Sequence, residues 1–387
     1  MILTIQEILH YKGKEMQVPF YKIDVGSKEQ QKIIDVLNGD AFYAVEDLED
    51  NFQSYVGASY AVSTSSGTGA LHLAMLAIDL KRGDKVLCSV NAHPAVPEVV
   101  RHFDAEPTFI DIDADTFNIN LDSLENYLED NQTKKLKAVI VSHAAGQPLD
   151  LTRLYNIAKI YKIKIIEDAG DALGATYQGE KIGATGADIT CFSFSQHLKK
   201  GICQGGMLVT EDEEIMERAK LLRNHAVVTD EDSLEYIYDV TAIGNKYTMS
   251  DLDAAFIDVQ LSRQDQIVAR QQAIAARYME KLQNVDHVSL PVVTQDHAYS
   301  NFIIKIDKNR DSFARELESR GIATGIHYIP LHLMSYYKTK YMLRINDFPM
   351  ALRNYQSILS IPVYAAMSDK EVDYICDAIK EVAKTRV

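Results

Sequence analysis

Cysteine is scarce in this chain of 387 residues. Its four cysteines, Cys88, Cys191, Cys203 and Cys376, are scattered, and none forms a CxxC pair. A disulfide framework is therefore excluded, and thiols in a reducing compartment are expected, with the cytoplasm as location. Basic charge is also short: 40 Lys and Arg stand against 55 Asp and Glu, a net charge of −15. That balance argues against a nucleic-acid partner, whose phosphates need clustered cations, and against an acidic membrane surface. No uninterrupted apolar run is long enough to span a bilayer. The start, "MILTIQEILHYKGKEMQ", lacks a basic segment followed by an apolar core, so no secretory leader is expected. Internal repeats and low-complexity stretches are missing as well.

What is present is alternation. "TGALHLAMLAI" (68–78) has helical composition, and "KVLCSV" (85–90) has that of a buried strand. Helix "VPEVVRHF", strand "PTFIDID" (107–113), helix "LDSLENYLED", strand "KAVIVSHA" (137–144), helix "DLTRLYNIAKIYK" (150–162) and strand "IKIIEDAG" (163–170) follow. "DITCFSF" and "GMLVTED" add two more strands. Short apolar strands separated by amphipathic helices predict an α/β fold, a mostly parallel sheet with helices on both faces.

The pattern breaks over residues 225–248, which are acidic and aperiodic; such a segment usually serves function or a partner. A long helix is expected from Ser250 to about residue 282, opened by a Ser250–Asp253 capping box, with Leu252, Ala255, Phe256 and Val259 as its apolar stripe. The tail offers strands "NFIIKI" and "ATGIHYI", helix "DSFARELESRG", and a last helix capped by Ser368 and Glu371. The expected division is a large domain over residues 1–250 and a small α+β domain over 251–387.

Four features fall where such a sheet binds ligands, outside the carboxyl ends of its strands. In "TSSGTGAL" (64–71) a Ser-Gly-Thr turn opens a helix, a site suited to phosphate or to nothing beyond an N-cap. In "IIEDAGDALGA" (165–175) Asp168 ends an apolar strand, where a buried carboxylate needs a partner. A protonated pyridine nitrogen would supply one and become an electron sink, the role of a pyridoxal phosphate (PLP) cofactor. His93 in "NAHPAV" could stack on a flat ring. The loop "CFSFSQHLKKGICQGGMLVT" (191–210) holds Ser193, a candidate for phosphate, and His197, Lys199 and Lys200; a lysine there could form a Schiff base. Each feature alone is unspecific; their order and placement point to a cofactor enzyme.

From about residue 20 onward the chain resembles the DegT/StrS class of sugar aminotransferases. The matching stretches include "SSGTGALHLAML", "FDAEPTFIDIDADTFNI", "HAAGQPLDL", "IIEDAGDALGA", "GADITCFSFS", "QGGMLVT", "LLRNHA" and "GIATGIHYIPLH". The resemblance implies a fold-type I PLP enzyme, with a seven-stranded sheet and a smaller C-terminal domain. It further implies a homodimer with shared active sites, a nucleotide-linked keto-sugar substrate, and glutamate or glutamine as amino donor. It maps the phosphate turn onto Ser66, Gly67 and Thr68, ring stacking onto His93, and the carboxylate at the ring nitrogen onto Asp168. Asp171 falls near the ring oxygen, and Ser193 at the phosphate.

The chain departs from that pattern at the lysine. The family has three residues between Phe-Ser-Phe and the Schiff-base lysine; an ungapped count puts Leu198 there, with His197 before it and Lys199 after. Lys246 takes the place of an Asn that reaches the neighbouring subunit's phosphate, Thr248 that of an Arg, and Ser300 that of a frequent His. Asp171 in "DALG" resembles a branch of sugar 3-dehydratases that use pyridoxamine phosphate (PMP) and a His in place of the lysine. Three readings stand: an aminotransferase with Lys199 as the amine, a PMP-dependent dehydratase with His197 as base, and a sugar-binding relic without chemistry. His327 and His332 flank Pro330 with no usual zinc spacing, so no metal is expected and "HYIPLH" reads as a substrate-side loop.

Overall fold

The computed structural model describes residues 16–41, 43–194, 203–229, 234, 236–292 and 296–385. Helices α1 (Ser27–Asn38) and α2 (Ala44–Val56) precede a seven-stranded sheet. Its strands are β1 (Tyr60–Thr64), β2 (Lys85–Ser89), β3 (Glu106–Ile110), β4 (Leu136–Ser142), β5 (Lys164–Asp168), β6 (Ile189–Ser193) and β7 (Gly206–Thr210). They lie in the order β1-β7-β6-β5-β4-β2-β3. β7 runs antiparallel to both its neighbours, and the other pairings are parallel. Helices α3 (Gly67–Ala77), α4 (Ala95–Arg101), α5 (Leu121–Asp130), α6 (Leu151–Tyr161) and α7 (Glu213–Leu222) are interleaved with the strands.

Side chains of one strand alternate between the two faces. Leu87, Val139, Ile165, Phe192 and Val209 pack into one core, and Val86, Ile140, Ile166, Cys191 and Leu208 into the other. Both faces are therefore covered, which is why these strands read as continuous apolar runs. All four cysteines are buried and unpaired. No described helix is long and apolar enough to cross a membrane.

Strands β8 (Val227–Thr229) and β9 (Tyr238–Val240) pair antiparallel. The helix expected over 250–282 is two: α8 (Asp251–Leu261) and α9 (Gln264–Leu282), parted at Ser262 and Arg263. Ser250 caps α8 by accepting from the Asp253 N–H at 3.2 Å. Ala255, Phe256 and Val259 are buried as the stripe requires, but Leu252 is exposed. α8 packs with the large-domain core, and from Ile274 of α9 onward the helix belongs to a third core. The packing thus passes from one core to the other along α9.

The third core is built on the antiparallel strands β10 (Val288–Ser289), β11 (Phe302–Ile306) and β12 (Ile358–Ile361). Helices α10 (Arg310–Ser319), α11 (Ser335–Lys340), α12 (Pro349–Ser357) and α13 (Asp369–Lys384) complete the region, and Ser368 and Glu371 form the reciprocal capping box of α13. "ATGIHYI" is not a strand; it contributes only a bridge between Gly325 and Ser360.

Candidate active site

The sheet brings the candidate side chains together by register. β4 and β5 pair with Ser142 beside Asp168, and β5 and β6 pair with Asp168 beside Cys191, so Ser193 lies just beyond along β6. The chain order reverses between β2 and β4, the place where open α/β sheets form a crevice. A cavity of about 360 Å³ opens there at the carboxyl edge. Ser66, Gly67, Thr68, His93, Asp168, Asp171 and Ser193 all line it.

At one end is the entrance to α3. Ser66 caps the helix, its Oγ accepting from the Gly69 N–H at 3.0 Å. The N–H groups of Gly67 and Thr68 belong to the first turn and have no intrahelical acceptor, so they face outward with the positive end of the helix dipole. The turn is pressed against the ends of β6 and β7. A Cβ on Gly67 would lie 2.4 Å from the Ser193 Cβ, and one on Gly206 would lie 2.5 Å from the Ser66 carbonyl oxygen. Glycine at both positions is what lets the turn and the Ser193 hydroxyl share one wall.

At the other end is Asp168. Its Oδ2 accepts from Ser142 Oγ at 3.3 Å and its Oδ1 from the Gly170 N–H at 3.4 Å. Burial is the largest influence and pushes its pKa up; the Gly170 N–H, His93, the Ser142 hydroxyl and His143 oppose it less strongly. No Lys or Arg lines the cavity among the described residues. A cationic group arriving in the cavity would find an under-compensated carboxylate. His93 is oriented by the Ala95 N–H, which donates to its Nδ1 at 3.2 Å, and its ring meets Tyr328 edge-on at 6.1 Å.

Sequence reasoning missed Asn301 and Tyr328, which close the cavity from the small domain with His327. The only signal for Asn301 was its place at the head of an apolar run. His332 is wholly buried and packs on Phe348, and the described residues hold no metal-binding group of His, Cys, Asp and Glu. His197, Lys199 and Lys200 lie outside the described residues. Lys246 is exposed and donates to Asn224 Oδ1 at 3.0 Å, away from the cavity of its own chain. Its neighbour Tyr247 nonetheless accepts from the Ser65 N–H at 2.7 Å, so this segment runs beside the α3 entrance. A separate apolar cavity of about 50 Å³, between Tyr21, Phe194 and Ile257, contains none of the candidate groups.

Residues 24–380 match the DegT/DnrJ/EryC1/StrS aminotransferase family. The chain belongs to that family. An uncharacterised protein of Methanocaldococcus jannaschii is 34% identical over 95% of this chain and 98% of its own length. Spore coat polysaccharide biosynthesis protein SpsC of Bacillus subtilis is 31% identical over 93% and 95% respectively. Among solved structures, Spr1654 of Streptococcus pneumoniae in its PMP form superposes with a TM-score of 0.87 at 26% identity, covering 96% of this chain and 98% of that one. S. venezuelae DesV, in complex with a ketimine intermediate, gives 0.87 at 27% identity, over 96% and 99%. This DegT/DnrJ/EryC1/StrS aminotransferase is therefore an enzyme with the fold-type I architecture its sequence resembles.

Proposed function

We propose that this aminotransferase moves an amino group from glutamate or glutamine to a nucleotide-linked keto-sugar, in surface-polysaccharide or sugar-antibiotic biosynthesis, using PLP held in the carboxyl-edge cavity. One observation carries the reading: a single cavity has first-turn amides and hydroxyls at one end and a buried, weakly compensated carboxylate at the other. Those two ends suit the phosphate and the ring nitrogen of a phosphorylated pyridine. The glycine-lined approach at Gly67, which a Cβ would fill, suits the phosphate end further. Kinship to a spore coat polysaccharide protein supports the polymer setting.

When bound, PLP would supply an electron sink for a carbanion next to the transferred nitrogen. The chain's own residues do the rest. The Gly67 and Thr68 amides and the Ser66, Thr68 and Ser193 hydroxyls would donate to the phosphate. Asp168 would keep a proton on the ring nitrogen by offering it a negative charge in a desolvated place. His93 would cover a ring face, and Asp171 would lie on the side of the ring oxygen. Lys199 is the amine that takes and returns the substrate proton, with His197 beside it.

The enzyme works as a homodimer in the cytoplasm. The β8–β9 pair and its flanks expose Tyr236 at 76%, Tyr238 at 64% and Ile243 at 87%. An apolar patch of this kind marks an interface. Lys246, on the same segment, would reach the phosphate site of the neighbouring subunit.

A second reading rests on Asp171 beside Asp168 in the cavity, together with Leu198 at the counted lysine position. It is a PMP-dependent sugar dehydration with His197 as the base. Borohydride reduction of the PLP-loaded protein followed by peptide mapping separates the two. A label on Lys199 is expected for the aminotransferase. PMP binding without any label favours the dehydratase, and failure to bind either cofactor contradicts both.

A further inference from the structure

We infer that Asn301 reads a hydroxyl of the sugar substrate. The inference rests on the sugar-aminotransferase reading above and assigns that reaction a specificity residue on the small domain.

Asn301 is 3% exposed and lines the same cavity as the Ser66–Thr68 turn, immediately before β11. Its Oδ1 is buried and has no hydrogen-bond partner among the described residues. A buried carboxamide oxygen left unpaired costs about 1–3 kcal/mol. The residue borders the cavity while its oxygen is closed off in the ligand-free protein, and a ligand hydroxyl that draws the carboxamide round would pair it.

The carboxamide is also held in place. Asn301 N–H points to the Ala145 carbonyl at 3.4 Å, and Ala298 N–H to the Gly146 carbonyl at 2.9 Å. Tyr299 N–H donates to His297 Nδ1 at 2.9 Å, and the two rings stack at 3.8 Å. Gln272 Nε2 donates to the His297 carbonyl at 3.1 Å. Gly146, at φ +90°, is where this loop meets the large domain. A Cβ there would lie 2.7 Å from the Asp171 carbonyl oxygen and 3.2 Å from the backbone nitrogens of Tyr299 and Ser300. The loop therefore presents Asn301 from a rigid support next to the Asp171 turn, not from a mobile tip.

The chemistry of the group selects its ligand. A carboxamide is neutral and offers an acceptor and a donor side by side, which matches a hydroxyl. A donor's α-carboxylate would call for a cation, and none lines the described wall. A site built to hydrogen-bond a hydroxyl discriminates strongly against a compound lacking it.

The test uses the full-length protein and the Asn301→Leu and Asn301→Ser variants. Leucine keeps the branched shape without the polar atoms, and serine avoids overpacking should leucine not fold. Three quantities are measured: PLP affinity, the rate at which L-glutamate or L-glutamine converts bound PLP to PMP, and calorimetric affinity of the PMP form for dTDP- and UDP-linked 4-keto-6-deoxyhexoses. The expected result is a loss of roughly tenfold in sugar-nucleotide affinity, with PLP affinity and the donor reaction unchanged. Unchanged sugar affinity overturns the assignment. An equal fall in all three overturns it as well, since Asn301 would then only hold the loop or touch the cofactor. Wild-type protein that binds PLP but never converts it with either donor overturns the aminotransferase reading itself, and this inference with it.

Discussion

Asp168 concentrates the functional argument in one side chain. Burial raises its pKa, so the folded protein binds its proton more readily than the unfolded chain does. The sign follows from linkage: its contribution to stability is most favourable below the ordinary carboxylate pKa and declines as pH rises through the raised value. Above that raised value the ionised group is a net penalty in the cofactor-free enzyme. Asp168→Asn should therefore raise the melting temperature of the cofactor-free protein while lowering turnover roughly a hundredfold or more. Calorimetry and a transamination assay check the two halves; a variant that is less stable and equally active contradicts both. Gly67 makes the opposite case. Gly67→Ala drives a Cβ to 2.4 Å from that of Ser193, and should cost about 1–3 kcal/mol and weaken PLP binding, as chemical denaturation and PLP titration would report. That Asp168, His93, Ser193 and the Ser66–Thr68 turn would meet at one edge of the sheet was legible because each sits at the end of an apolar run or the start of a helix. Asn301 was not, because its meaning lies in an absent partner, which only packing reveals.

Among elements, strands β2 to β7 and helices α3 to α6 were legible because the strands' apolar runs are buried on both faces, whereas α1, α2, β1 and α7 were not read. Strand ends shifted by one to three residues where pairing stops before hydrophobicity does, as at β3, which ends at Ile110 rather than at Asp113 although apolar Ile112 lies between. Two elements misled. The period through 250–282 is continuous, so the break at Ser262 and Arg263 leaves no mark in it; Arg263 there pairs with Asp24 and Glu29. "ATGIHYI" looks like a strand but serves as cavity wall through His327 and Tyr328. The loop ahead of β11 carries a testable pH response. Burial lowers the pKa of His297 from 6.5 to about 3, so it is neutral when folded and accepts from Tyr299. Its contribution is complete above 6.5 and is lost as pH falls toward about 3, by at most roughly 1.4 kcal/mol per pH unit. His297→Asn, which keeps an acceptor but cannot titrate, should flatten the fall of melting temperature across that window. An unchanged slope would mean that the loop is not the acid-sensitive element.

At the scale of the molecule, the seven-stranded sheet and its helices place the Ser66–Thr68 turn and Asp168 in the cavity, and the C-terminal region lines it with Asn301, His327 and Tyr328. The exposed β8–β9 pair leaves an apolar surface that one chain does not cover. Sedimentation should find a dimer, and Ile243→Glu, placing charge on a side chain 87% exposed in the single chain, should shift it toward monomer. Lys246→Ala should leave the dimer intact and weaken PLP binding about ten- to a hundredfold, the worth of one charge-assisted hydrogen bond. A monomeric wild type that binds PLP at full affinity would contradict the shared site.

The measurement closest to the central claim is a single-turnover donor reaction on the PLP-loaded enzyme. L-glutamate or L-glutamine is added, the visible cofactor absorbance is followed, and PMP and the keto acid are quantified. The account predicts loss of the visible band with one PMP and one keto acid formed per active site, and restoration of the band by a nucleotide-linked keto-sugar. A protein that fails to bind PLP, or binds it and leaves it unchanged with both donors, would contradict it.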